Sequence, residues 1–70
     1  MTRIEAERRR RGWNQTTLAF HSSTTQAEIS RIECGLLRPT PRVASRIAGV
    51  LGLPADRLLD EVGDGEAARG

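Results

Sequence analysis

The side chains that could do chemistry are mostly amides, hydroxyls and guanidinium groups, which recognise ligands rather than make bonds. The 70-residue chain contains one Cys and one His, which excludes a disulfide framework or a Cys/His metal site within it. The sequence shows no nucleophile paired with a base, no carboxylate dyad and no phosphate loop, and an enzyme needs such groups to converge in a pocket. We therefore expect a binding protein with no catalytic residue, no metal and no cofactor.

The charge distribution favours a polyanionic partner. Residues 1–54 carry nine Arg and four acidic residues, a net +5, whereas residues 55–70 carry two Arg and five acidic residues, a net −3. All 11 Lys and Arg positions hold Arg, whose planar guanidinium binds phosphate and guanine in a bidentate manner. A basic body followed by an acidic end is typical of a module that binds nucleic acid.

Two short helices joined by a tight turn are predicted between residues 14 and 35. Asn14 is a suitable N-cap for the first helix. Thr25 opens the second helix in a Thr-x-x-Glu capping box that ends at Glu28, and Gly35 supplies the left-handed residue that ends it. The apolar residues that recur at helical spacing, and so form the inward faces, are Leu18, Ala19, Ile29 and Ile32.

This segment resembles the helix-turn-helix of the Cro/C1-type, or XRE-like, family. The matching residues, which keep the family's spacing without a gap, are Gln15, Leu18, Ala19, Thr25, Gln26, Ile29, Ser30, Arg31, Ile32, Glu33 and Gly35. Thr24, Thr25 and Gln26 also look like the start of the recognition helix in lambdoid phage repressors. The resemblance extends over roughly residues 3–60. It implies an all-α, compact five-helix, lambda-repressor-like domain with the helix-turn-helix at helices 2 and 3.

Three positions in the turn depart from the family pattern. The family usually has an apolar residue at Ser22, glycine at Ser23, and valine or isoleucine at Thr24. Serine can form a turn by hydrogen bonding to its own backbone. We expect the turn to persist, with Phe20 filling the space left at Ser22.

The flanking sequence predicts further helices and one domain. Thr2 opens a first helix over residues 3–11 in a second possible capping box, and Thr40 caps a fourth helix over residues 41–51. The resemblance implies a short fifth helix within residues 53–59. The helix-turn-helix domain is thus expected to span residues 1–62, and residues 63–70 are expected to form a disordered tail.

The second helix of the motif directs its polar residues outward, where a helix in the DNA major groove meets base edges. Gln26 suits adenine, Ala27 suits a thymine methyl group, and Arg31 either reads guanine or holds a phosphate. Glu28 has two interpretations: it accepts from cytosine, or it only completes the capping box. The candidate base contacts are Gln26, Ala27, Glu28, Ser30 and Arg31.

The candidate phosphate contacts are Asn14, Gln15, Thr25 and Arg38. Gln15 matches the family's phosphate clamp and begins a helix whose dipole favours an anion.

Arg8 and Glu33 have a different predicted role, because both charges fall where the pattern calls for apolar groups. Arg8 shares the inward face of the first helix with Ile4. A matched guanidinium–carboxylate pair is the usual way to bury such charges, and the resemblance places a structural ion pair at these two positions.

The leading hypothesis is a cytoplasmic, sequence-specific transcriptional regulator, namely a dimeric repressor of prophage or restriction–modification controller type. One recognition helix reads few base pairs, so a homodimer on a pseudo-palindromic site of double-stranded DNA is expected. No membrane partner is expected. The candidate dimer contacts are Leu36, Leu37, Leu58, Leu59 and Val62. The alternative is an antitoxin-like or other protein-interaction module on the same fold.

Overall fold

A computed structural model describes residues 1–63, which form four α-helices and one short 3-10 helix. The helices are α1 (Arg3–Arg10), α2 (Gln15–Ser22), α3 (Gln26–Glu33), α4 (Pro41–Leu51) and the 3-10 helix (Ala55–Arg57). The predicted all-α class is confirmed, but the count of five helices is wrong, because the fifth element is a single 3-10 turn. Apart from Gly63, the predicted tail lies outside the described residues.

Each α-helix begins at a side chain that accepts a hydrogen bond from an amide in the first turn, as the sequence predicts. These caps satisfy amides that have no partner inside the helix. In α1, Thr2 Oγ1 accepts from Glu5 N at 3.3 Å, and in α2, Asn14 Oδ1 accepts from Thr17 N at 2.8 Å. In α3, Thr25 Oγ1 accepts from Glu28 N at 3.1 Å, and in α4, Thr40 Oγ1 accepts from Val43 N at 3.3 Å.

The second half of each predicted capping box differs from expectation. The Glu5 carboxylate pairs with Arg9 at 2.6 Å. The Glu28 carboxylate accepts from the Thr25 hydroxyl at 3.3 Å rather than from its main-chain amide. In a full capping box each of these carboxylates would accept from the main-chain amide of its N-cap residue. Here Arg9, one turn further along α1, binds Glu5 instead, and the Thr25 hydroxyl binds Glu28.

The turn between α2 and α3 depends on two serines. Ser23 adopts the left-handed conformation, with φ at 57°, which explains why glycine suits this position. The Ser22 side chain is buried, and its hydroxyl donates to Leu18 O at 2.7 Å. The expectation that Phe20 fills the space at Ser22 is wrong, because Phe20 is 80% exposed. Two residues along a helix differ by about 200° in direction, so Phe20 and Ser22 leave it on nearly opposite sides.

One apolar core joins all of these elements. Its buried members are Ile4, Leu18, Ala19, Ile29, Ile32, Ile47, Ala48, Leu51 and Leu58. Trp13 is partly buried and packs at the edge of this core. Its ring stacks on His21 with the centroids 4.7 Å apart, and the Arg11 guanidinium lies 5.4 Å from the ring centre. Arg11 also donates to Leu51 O at 3.0 Å and so binds the end of α4.

The two ends of the domain are joined by a terminal clasp, in which residues 1–4 pair with residues 58–62. The amides of Arg3 and Ile4 donate to Asp60 O at 2.8 Å and to Leu58 O at 3.1 Å, and Val62 N donates to Met1 O at 2.8 Å. The first amides of α1 thereby gain acceptors. The turn that follows the 3-10 helix provides these acceptors, through Leu58 and Asp60. Within residues 1–63, no helix has the length and apolar character needed to cross a membrane.

Candidate nucleic-acid interface

The outward face of α3 carries the residues predicted to contact bases. Gln26, Ala27 and Arg31 are exposed, and Ser30 and Glu28 are partly exposed. The opposite face of the helix buries Ile29, Ile32 and Glu33, so the helix is fixed to the core along one side. A helix held in this way presents a continuous polar face of a size that fits the major groove of B-DNA.

Arg8 and Glu33 form an ion pair beneath this helix. Arg8 Nε lies 2.8 Å from Glu33 Oε2, and Arg8 Nη2 lies 3.1 Å from Glu33 Oε1. The two side chains are 9% and 3% exposed. Arg8 Nη1 also donates to Trp13 O at 2.7 Å, so the guanidinium has partners on three sides. The structure thus brings together the two residues that the sequence pairs, in the bidentate geometry that is strongest for this combination.

The ion pair continues into a chain of side-chain hydrogen bonds that reaches the exposed face. Gln15 Nε2 donates to Glu33 Oε1 at 3.1 Å, and Gln26 Nε2 donates to Gln15 Oε1 at 2.7 Å. The sequence predicts a phosphate contact for Gln15 and a base contact for Gln26, with no connection between the two side chains. No local pattern indicates the connection, because it depends on how α1, α2 and α3 pack.

The chain of hydrogen bonds fixes the orientation of both amides. An ionised carboxylate only accepts hydrogen bonds, so Glu33 requires the nitrogen of Gln15 on its side. The oxygen of Gln15 then faces α3 and accepts from the nitrogen of Gln26. Gln26 keeps one N–H and its carbonyl oxygen free. Those two groups complement N7 and the N6 amino group of adenine.

The candidate phosphate contacts are located around this chain of side-chain hydrogen bonds. The side-chain oxygen Oδ1 of Asn14 accepts hydrogen bonds from the Thr17 amide at 2.8 Å and from the Thr17 hydroxyl at 3.0 Å. Thr25 is exposed at the start of α3, and Arg38 is exposed in the loop between α3 and α4. Gln15 is the first residue of α2, so its main-chain amide is free of intrahelical bonding and points away from the helix. The start of α2 therefore offers an anion site even while the side chain of Gln15 is engaged.

The arginines fall into two groups by their partners. Arg8, Arg9, Arg10, Arg11 and Arg57 pair with carboxylates. Within residues 1–63 the arginines without such a partner are Arg3, Arg31, Arg38, Arg42 and Arg46, all exposed. Arg42 and Arg46 were not singled out from the sequence, although their spacing of four on α4 places both on one face. Unpaired guanidinium groups are the ones available to a polyanion.

Comparison with known proteins identifies the family. No curated protein matches the chain significantly, and no solved structure does. A family model described as Helix-turn-helix matches residues 4–58, a stretch that includes almost all of α1, the whole of α2 to α4 and the 3-10 helix. The match covers most of the chain, includes the α2–turn–α3 unit, and agrees with the Cro/C1-type resemblance of the sequence. The chain belongs to the Cro/C1-type helix-turn-helix family of DNA-binding transcription regulators.

Proposed function

We propose that the protein is a sequence-specific transcriptional repressor of prophage or restriction–modification controller type, which binds double-stranded DNA as a homodimer. The observation that supports this most is the orientation of Gln26 by Gln15 and Glu33. A base-reading side chain that is already ordered loses less conformational entropy on binding. The proposal includes a cytoplasmic location, where the DNA would be, and a role in binding rather than catalysis.

In this proposal α3 enters the major groove and its exposed residues divide the reading of one half-site. Gln26 pairs with adenine, Ala27 contacts a thymine methyl group, and Arg31 reads guanine. Ser30, which is partly exposed, donates or accepts at a neighbouring base. The Glu28 carboxylate accepts a hydrogen bond from the Thr25 hydroxyl, so it contacts cytosine only when that hydrogen bond is broken.

Phosphate contacts fix the depth and register of α3. We assign them to the start of α2, through the main-chain amide and the second side-chain N–H of Gln15, and to Asn14, Thr25 and Arg38. Contacts of this kind position a protein on DNA without carrying sequence information. The field at the N-terminus of α2 adds to the attraction.

A homodimer follows from the small size of one reading helix. Two copies of α3 related by a twofold axis would meet half-sites about 34 Å apart, one turn of the duplex, on a pseudo-palindrome. The exposed surface supports a contact between copies, since Leu36 is 79% exposed and Leu37 is 37% exposed. Leu58, also a candidate on sequence grounds, is 2% exposed in the core and is withdrawn from that set.

The test is selection of binding sites from random duplexes, repeated with single variants. The wild-type protein should select a twofold-related consensus. Gln26→Ala should lose about 1–3 kcal/mol on that site and relax preference at one base pair per half-site. Arg9→Gln is the matched control, because Arg9 is exposed and paired with Glu5 on α1, and it should leave the consensus unchanged.

Two outcomes would contradict the proposal. One is a consensus that Gln26→Ala leaves unaltered, which would mean that α3 does not read bases as described. The other is failure to select any duplex at moderate salt while a second protein copurifies, which would favour the antitoxin-like alternative.

A further inference from the structure

The carboxylate of Glu33 is held in one orientation by the first helix. Arg8 Nε and Nη2 donate to its two oxygens, and Arg8 Nη1 donates to Trp13 O, so the guanidinium cannot rotate without losing a partner. The Glu33 side chain is 3% exposed. Because water has little access to this carboxylate, it takes its remaining hydrogen bond from a protein donor.

The carboxylate determines which way the Gln15 amide faces. Glu33 Oε1 accepts from Gln15 Nε2 at 3.1 Å, and an ionised carboxylate has no proton to give to an amide oxygen. Turning the Gln15 amide over would set two oxygens against each other beside a buried charge. The Gln15 oxygen is therefore directed away from Glu33, and it accepts from Gln26 Nε2 at 2.7 Å. An acceptor faces Gln26 because a carboxylate lies on the other side of Gln15.

The direction of the Gln15 amide sets the order of the groups that Gln26 presents to DNA. With its nitrogen bound to Gln15, Gln26 has one N–H for adenine N7 and its oxygen for the adenine N6 amino group. Guanine has an acceptor at both positions, so its O6 would meet the Gln26 oxygen. Turning the Gln26 amide over exchanges its oxygen and nitrogen, which sets donor against donor and acceptor against acceptor on adenine.

We propose that Glu33 is a positioning residue for base recognition: its negative charge selects adenine at the base pair that Gln26 reads, through Gln15 and without contact with DNA. Arg8 supports this role by holding the carboxylate in place from α1. The inference rests on the proposed function and deepens it by assigning a base preference to a buried charge. A purely structural ion pair would affect stability and leave the preference for bases unchanged.

The experiment measures binding of the full chain to four duplexes that carry the selected consensus and differ only at the base pair sensitive to Gln26→Ala. The readout is the ratio of the affinities for the adenine and guanine duplexes, which does not depend on the folded fraction of a variant. The wild-type protein should favour adenine by about tenfold or more. Gln15→Lys places a side chain with three donors and no acceptor between Glu33 and Gln26, so Gln26 must turn its oxygen toward it. This variant should bind the adenine duplex less tightly than the guanine duplex.

Three further variants separate amide direction from added charge and from lost contacts. Gln15→Met has a similar length and no N–H donor, and it should lower the ratio toward one without reversing it. Thr16→Lys adds the same charge at the next residue, which is exposed, and should strengthen binding to all four duplexes at an unchanged ratio. Arg8→Met combined with Glu33→Gln tests the buried charge. A neutral amide at position 33 can present either oxygen or nitrogen to Gln15, so the ratio should fall to that of Gln15→Met.

Thermal melts of each variant show that the binding measurements are made on folded protein. A wild-type ratio in Gln15→Lys or in the double variant would overturn the inference, and so would an altered ratio in Thr16→Lys. A consensus without adenine at the base pair sensitive to Gln26→Ala would also overturn it, while the proposed function stands. Failure of the wild-type protein to select any consensus would contradict the proposed function itself.

Discussion

Replacing Arg8 by methionine tests whether the ion pair with Glu33 is an essential part of the fold. The change keeps much of the side-chain volume but removes the guanidinium, and the Glu33 carboxylate remains 3% exposed with only Gln15 to donate to it. Trp13 O also loses its donor at 2.7 Å. Removing one partner of a buried pair typically costs about 3–5 kcal/mol, since the other charge is left uncompensated.

That loss is large relative to the stability of so small a domain. At about 0.05–0.15 kcal/mol per residue, the free energy of unfolding is on the order of 3–10 kcal/mol. Arg8→Met should therefore lower the melting temperature by on the order of 20 °C or leave the protein partly unfolded at 25 °C. Glu33→Gln should behave similarly, because it leaves the guanidinium buried without an anion.

The assay is a double-mutant cycle measured by urea denaturation and by thermal melting. Arg8→Met combined with Glu33→Gln removes both charges and should be more stable than the sum of the two single effects predicts, by about 2 kcal/mol or more. Arg9→Met removes the exposed partner of Glu5 and should change stability by less than about 1 kcal/mol. Wild-type melting of Arg8→Met, or strict additivity in the cycle, would refute the reasoning.

Two further substitutions test the turn and the outer face of α2. Ser23→Gly should raise the free energy of unfolding by about 1 kcal/mol, because Ser23 has φ at 57° and glycine adopts this conformation without the Cβ penalty. Urea denaturation measures this free energy, and a destabilised variant would show that the serine makes a compensating contact. Phe20→Ser should change stability by less than about 0.5 kcal/mol in the same assay, since Phe20 is 80% exposed, and a large loss would place the ring in the core.

Features encoded within a few residues could be predicted from the sequence. The caps at Thr2, Asn14, Thr25 and Thr40 each depend on one oxygen and an amide three residues later. The bounds of α4 agree with the structure, because Pro41 and Gly52 are strong signals for the beginning and end of a helix. Gly52 has φ at 68°, as a left-handed terminating residue requires.

Features that depend on packing between elements could not be predicted in the same way. The Gln15–Gln26 bond joins two helices. The exposure of Phe20, in contrast, follows from helix geometry alone, because Phe20 and Ser22 leave α2 on nearly opposite sides. The family resemblance implies a fifth helix, whereas the structure has a single 3-10 turn followed by Leu58 and Asp60, which supply acceptors to α1. The sequence thus predicts the members of the candidate site one by one, but not the hydrogen bonds that connect Gln15 with Gln26 and Glu33.

The hydrogen bonds that Gln15 makes to Glu33 and Gln26 change one expectation about DNA binding. On sequence grounds alone, Gln15 and Gln26 act independently, one on a phosphate and one on a base. The 2.7 Å bond between them means that Gln15→Ala also releases the amide of Gln26. We now expect the variant to lose affinity for all duplexes and also some preference at the base pair that Gln26 reads.

The terminal clasp has a consequence for how the domain folds. The first two amides of α1 obtain their acceptors from Asp60 and Leu58, at the far end of the folded chain, so these two hydrogen bonds form only when the last segment docks. Such long-range closure raises the contact order and joins the helices into one cooperative unit. Hydrogen exchange at the amides of Arg3 and Ile4 should then report the opening of the terminal clasp, and no helix of the domain should persist as a separately stable fragment.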